Sequence, residues 1–107
     1  VALAFILAAL LIVQIGKLWE MHLSPDPRYP LYRAVGDWLQ ENSPSDNSVG
    51  TLEVGIIGYY SQRTMVDFAG LIQPDIAEQI ERAGSYPAVA QWAVEQYRPD
   101  YLVLRQG

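Results

Sequence analysis

Two carboxylates, Glu53 and Asp67, end two short apolar runs, VGTLEV and TMVDF, and a tyrosine pair, Tyr59 and Tyr60, lies between them. In an open parallel sheet, ligands bind beyond the carboxyl ends of the strands. Carboxylates on such a rim can hold a sugar hydroxyl, an amine or a cation. A general acid and base would use the same residue types, but in unequal environments. The tyrosine faces would stack on the apolar C–H surface of a sugar ring. Glu53, Tyr59, Tyr60 and Asp67 are therefore the candidate ligand-binding residues. A structural reading stands beside that one. Each carboxylate caps backbone amides of the turn that follows or pairs with Arg63, and each tyrosine is a core residue with its hydroxyl at the rim. Residue types alone leave both readings open.

The glycines around these residues raise a phosphate loop as a further candidate. Gly55 and Gly58 start such a pattern, but position 57 is isoleucine, no third glycine falls in register and no Walker lysine follows. A tight turn after the strand and close helix packing are the roles expected of Gly55 and Gly58. Gly70 is expected in a turn of positive φ. The serines lack a strand-turn-helix elbow, and the single histidine, His22, lies far from them in sequence, so no catalytic residues are expected here. One histidine and no cysteine exclude the usual histidine or thiolate metal sites, and no cofactor is expected.

Seven basic and 12 acidic side chains leave a net charge of −5, with no basic stripe to meet nucleic-acid phosphates. No nucleic-acid partner is expected. The first sixteen residues, VALAFILAALLIVQIG, carry no charge and are apolar on every side, which suits lipid better than a one-sided core. As a helix they span about 24 Å, against roughly 30 Å of hydrocarbon, so the expectation is a transmembrane helix whose beginning lies upstream of Val1. A signal peptide and a buried core helix are the alternatives, but the basic start and small-residue cleavage site of a signal peptide are missing. KLWEMHL then reads as an interfacial anchor, with Trp19 at headgroup depth and Lys17 snorkelling. Residues 1–22 are expected to form this membrane part and 23–107 the domain beyond it. Lys17 alone does not settle the orientation, and the acidic surface, with nothing to hold it at anionic lipid, leans only toward the extracytoplasmic side.

Positioning the candidate residues is the task of the rest of the chain. SPDPRYP breaks the first helix, and Asp26 followed by Pro27 starts the next, about residues 29–41, with Leu31, Val35, Trp38 and Leu39 on its packed face. VGTLEV is a strand, GIIGYYSQ a short helix and TMVDF a second strand. Pro74, Asp75, Glu78 and Gly84 bracket a helix, and another runs from near Pro87 to before Pro99. Its apolar face is Val89 or Ala90, Ala93, Val94 and Tyr97, with Trp92 on the flank. YLVLR closes the chain as a strand buried on both faces. Strands separated by helices imply parallel pairing. The expected class is α/β: a small three-stranded, mainly parallel sheet with flanking helices behind a membrane helix.

Taken in order, DWLQENSP, EVGIIGYY, VDFAGL and RPDYLVL give residues 32–104 a family likeness. This region resembles the C-terminal soluble part of bacterial multi-spanning glycosyltransferases related to the protein mannosyltransferases, arabinosyltransferase-like members included. The resemblance implies a polyprenyl-phosphate-linked sugar donor, transfer on the extracytoplasmic face, and a membrane helix just upstream. In such enzymes the catalytic acids lie in an early loop absent from this sequence, so none carries over. The expected role is an accessory domain that covers the membrane-embedded site or helps select the acceptor glycan. Its partners would be the membrane and the remainder of the polytopic parent. The alternative is a membrane-anchored sugar-binding or oligomerisation module without a catalytic role.

Overall fold

A computed structural model describes residues 1–105. Helix α1, Ala2–Leu23, runs unbroken through Gly16 and on through KLWEMHL. Its 22 residues extend about 33 Å, long enough for the roughly 30 Å hydrocarbon layer. The apolar stretch and the expected interfacial anchor are thus one rod. Every residue of it is exposed, and by length and composition it can cross a membrane. Residues 24–27 end it, and helix α2 occupies Arg28–Asn42. Pro27, rather than the expected Asp26, occupies the N-cap position, and Asp26 stands just before it. One carboxylate oxygen accepts the Arg28 backbone N–H at 2.9 Å, and both accept the Arg28 guanidinium. These bonds hold the Asp26 carboxyl down at about 2.

The remaining elements are β1 (Ser48–Thr51), α3 (Val54–Ser61), β2 (Thr64–Asp67), α4 (Pro74–Ala83), α5 (Tyr86–Tyr97) and β3 (Tyr101–Val103). The expected start and stop signals act where they stand: Pro74 and Pro87 sit in first turns, and Gly84 ends α4 at φ +77°. The three strands form one parallel sheet in the order β2-β1-β3, with Val49 level with Met65 and Tyr101. Alternation along the strands divides the core in two. On one face Leu39 of α2 and Ile57 of α3 pack with Val49, Met65, Tyr101 and Val103. On the other, Val66 and Phe68 pack with Ile76 of α4 and with Val89 and Ala93 of α5. The molecule is thus α/β, with helices on both faces of the sheet.

Two expectations need correction. The packed seam of α2 is Tyr32, Val35, Gly36 and Leu39, while Leu31 and Trp38 are 61% and 53% exposed. Gly36 decides this rotation. A Cβ there would lie 2.6 Å from the Cβ of Tyr60, so α2 and α3 meet at a glycine that a hydrophobic pattern does not count. Finally, β3 is an edge strand rather than a doubly buried one, and Leu102 and Leu104 are 45% and 71% exposed. The α4–α5 layer stands over β2 and the middle of β1, where Gly50 leaves room for the Phe68 ring, and leaves the β3 side open.

Candidate functional site

The connection leaving β1 enters α3 on one face of the sheet, and the connection leaving β2 leads to α4 on the other. Where two neighbouring strands send their chains to opposite faces, a crevice opens beyond their carboxyl ends. A cleft of about 710 Å³ lies on the other side of β1, beyond the carboxyl ends of β1 and β3 and between α2 and α5, within the range of small-molecule sites. Val35 of α2, Phe68 after β2 and Ala90 of α5 supply apolar wall, Tyr32 and Tyr86 add rings, and Arg28, Glu53 and Arg105 are its charged residues.

Glu53 occupies the residue before α3 and is half-buried. Its backbone N–H donates to the Thr51 hydroxyl at 3.2 Å, and its carboxylate has no hydrogen bond or ion pair among the described residues. That leaves the carboxylate available to the cleft. Arg28 enters from the first turn of α2, its guanidinium held by Asp26 at 2.6 Å. The hydrogen bonds to Asp26, then the charge of Asp26 and more weakly of Glu53, raise its pKa. Arg105 follows β3 and forms no ion pair among the described residues.

Asp67 has a different duty. It is wholly buried, and its carboxylate accepts backbone N–H groups from Ala69 at 2.9 Å, Leu71 at 2.5 Å and Ile72 at 3.0 Å. The loop after β2 is wound around this one side chain, and its own N–H donates to the Gln73 side chain. Asp67 stands beside Thr51 in the register, yet Glu53 lines the cleft and Asp67 does not. The two carboxylates therefore do not share a rim. Arg63 pairs with neither. Its guanidinium donates to the carbonyls of Gln40 at 2.9 Å and Ser43 at 2.6 Å, closing the C-terminus of α2.

The tyrosine pair also lies apart from the cleft. Tyr59 is 71% exposed, and Tyr60 meets Tyr29 hydroxyl to hydroxyl at 2.6 Å, with the Arg33 guanidinium 5.0 Å from its ring centre. The Tyr29 bond raises the pKa of Tyr60. This cluster ties the start of α2 to α3. Gly58 packs against Met65, where a Cβ would come within 2.9 Å, and Gly70 turns at φ +76° beside Ala77. Gly55 needs neither service, since a Cβ there would meet only the Glu53 carboxylate at 3.6 Å.

Sequence reasoning missed Arg28, Tyr32, Tyr86 and Arg105. One signal existed for Arg28 and Tyr32: a helix preceding a parallel strand runs back along it, so the N-terminus of α2 must lie at the carboxyl edge. Nothing comparable marks Tyr86.

Residues 19–107 match the family described as a domain of unknown function (DUF8728), and the chain belongs to that family. No curated protein and no solved structure matches the chain.

Proposed function

We propose that this DUF8728 member is the extracytoplasmic accessory domain of a membrane glycosyltransferase, tethered by α1. The parent enzyme would move a sugar from a polyprenyl-phosphate donor. The observation that carries the reading is α1, an apolar helix of membrane-spanning length that stands outside the fold with every residue exposed. The resemblance of residues 32–104 to such enzymes supports it. In this reading the cleft opens at the bilayer surface beside the membrane-embedded site and helps select the acceptor, with Glu53 accepting hydroxyl groups of the acceptor sugar and Tyr32 or Tyr86 against its C–H face. Catalysis then belongs to the rest of the parent. The buried Asp67 is committed to backbone amides, and a lone Glu53 does not make an acid–base pair.

The test uses the parent enzyme in its native membrane. Glu53→Gln raises the acceptor KM about tenfold with kcat little changed, the loss expected for one charge-assisted hydrogen bond of about 1.4 kcal/mol. Membranes that transfer no sugar from any polyprenyl-phosphate donor would remove the reading. The second reading, an anchored sugar-binding module, rests on the cleft volume and the free Glu53 carboxylate. It predicts heat on titrating sugars into the detergent-solubilised chain, lost in Glu53→Ala, with no transfer activity in the parent.

A further inference from the structure

The two ends of the sheet differ in polarity. At the amino ends the chain enters the strands through PSDN before β1, QR before β2 and RPD before β3. At the carboxyl ends it leaves through Leu52, 56% exposed, Leu71 and Ile72, 80% and 61% exposed, and Leu104, 71% exposed. Leu31, 61% exposed, joins Leu52 and Leu104 around the cleft. Leu71 and Ile72 stay at the end of β2 because the Asp67 carboxylate holds their backbone amides. Single exposed leucines are ordinary on a protein surface, but five large apolar side chains gathered at one end, against Trp38 near the other, make a patch.

We propose that this carboxyl edge lies on the lipid bilayer that α1 crosses, with Leu31, Leu52, Leu71, Ile72 and Leu104 in the headgroup and upper acyl layer. The inference rests on α1 spanning the membrane and is independent of the glycosyltransferase reading. Chain length is the first reason. Only residues 24–27 separate α1 from α2, and five residue steps cover at most about 18 Å. The N-terminus of α2, and the edge that Leu31 shares with Leu52 and Leu104, therefore cannot leave the neighbourhood of the bilayer surface. Charge is the second. Arg28 and Arg105 stand at this edge with Asp26 and Glu53, so the edge carries none of the chain's excess negative charge and lipid phosphates do not repel it.

The chain has no cysteine, so single-cysteine variants can carry a fluorophore without background. Ile12→Cys, Leu71→Cys, Leu104→Cys and Asp46→Cys replace exposed side chains and spare both cores. Each labelled full chain is reconstituted in phosphatidylcholine vesicles and quenched by nitroxide-bearing lipid or by aqueous iodide. Labels at 12, 71 and 104 are expected to be quenched several-fold more by the lipid than the label at 46, and several-fold less by iodide. If position 12 responds to lipid while 71 and 104 respond to iodide as 46 does, the docked edge is refuted with the anchor intact. If 71 and 104 are shielded from both quenchers, protein covers the edge and the proposal is also refuted. Failure of position 12 to respond to lipid removes the anchor and the docking together.

Discussion

Asp67 shows what one buried charge can organise. Three backbone amides converge on its carboxylate, and each hydrogen bond to an ionised group contributes about 1.5–3 kcal/mol net. In Asp67→Asn an amide NH₂ replaces one acceptor and confronts N–H donors. The folded chain is expected to lose about 2–3 kcal/mol, read as a lower midpoint in chemical denaturation. Asp100 offers a pH prediction at the same scale. It accepts the Ser48 backbone N–H at 2.7 Å and the Ser48 hydroxyl, which lower its pKa from the ordinary 3.8. A carboxyl with a depressed folded-state pKa stabilises the fold fully above its unfolded value. That contribution fades as pH falls from there through the folded value. Thermal melts of Asp100→Asn should accordingly be less stable than wild type at pH 7 and show a shallower loss below pH 4. Of the two chemistry-bearing carboxylates, both positions at strand ends could be read from the sequence. Their opposite duties could not, because a carboxylate becomes a cap only when a particular loop closes around it.

At the scale of elements, the α2–α3 contact tests the importance of close approach. Gly36→Ala would place a methyl 2.6 Å from the Tyr60 Cβ and 3.2 Å from the Ile57 carbonyl oxygen, and backbone cannot yield cheaply. A loss of about 1–3 kcal/mol is expected from that overpacking. Gly55→Ala, inside α3 with its neighbourhood open, should instead gain up to about 1 kcal/mol from helix propensity. Equal effects of the two substitutions in urea titrations would contradict this account. Helix limits set by Pro74, Gly84 and Pro87 were readable because capping acts within one turn. The rotation of α2 was not, because hydrophobic periodicity ranks side chains and Gly36 contributes by having none.

For the whole molecule, both cores are built without any residue of α1. Residues 24–107 alone are therefore expected to keep the fold and unfold in one cooperative thermal transition by circular dichroism, while the full chain partitions into detergent or vesicles. A truncated chain with no cooperative transition would show that α1 supports the domain after all. Edge exposure also follows from the whole: β3 is apolar enough for a central strand, and only the strand order places it at the side that α4 and α5 leave open.

The apolar N-terminal helix, the α/β class, the parallel strands and the limits of α4 and α5 were all determined by the sequence, because each follows from composition or from spacing within a few turns. Tertiary structure alone decided that Glu53 opens into the cleft while Asp67 is consumed by its own loop. It also placed Arg28 and Arg105 at the same edge and gathered the exposed leucines there. Those relations depend on which face each connection takes after leaving the sheet, and that choice is made by packing between elements distant along the chain.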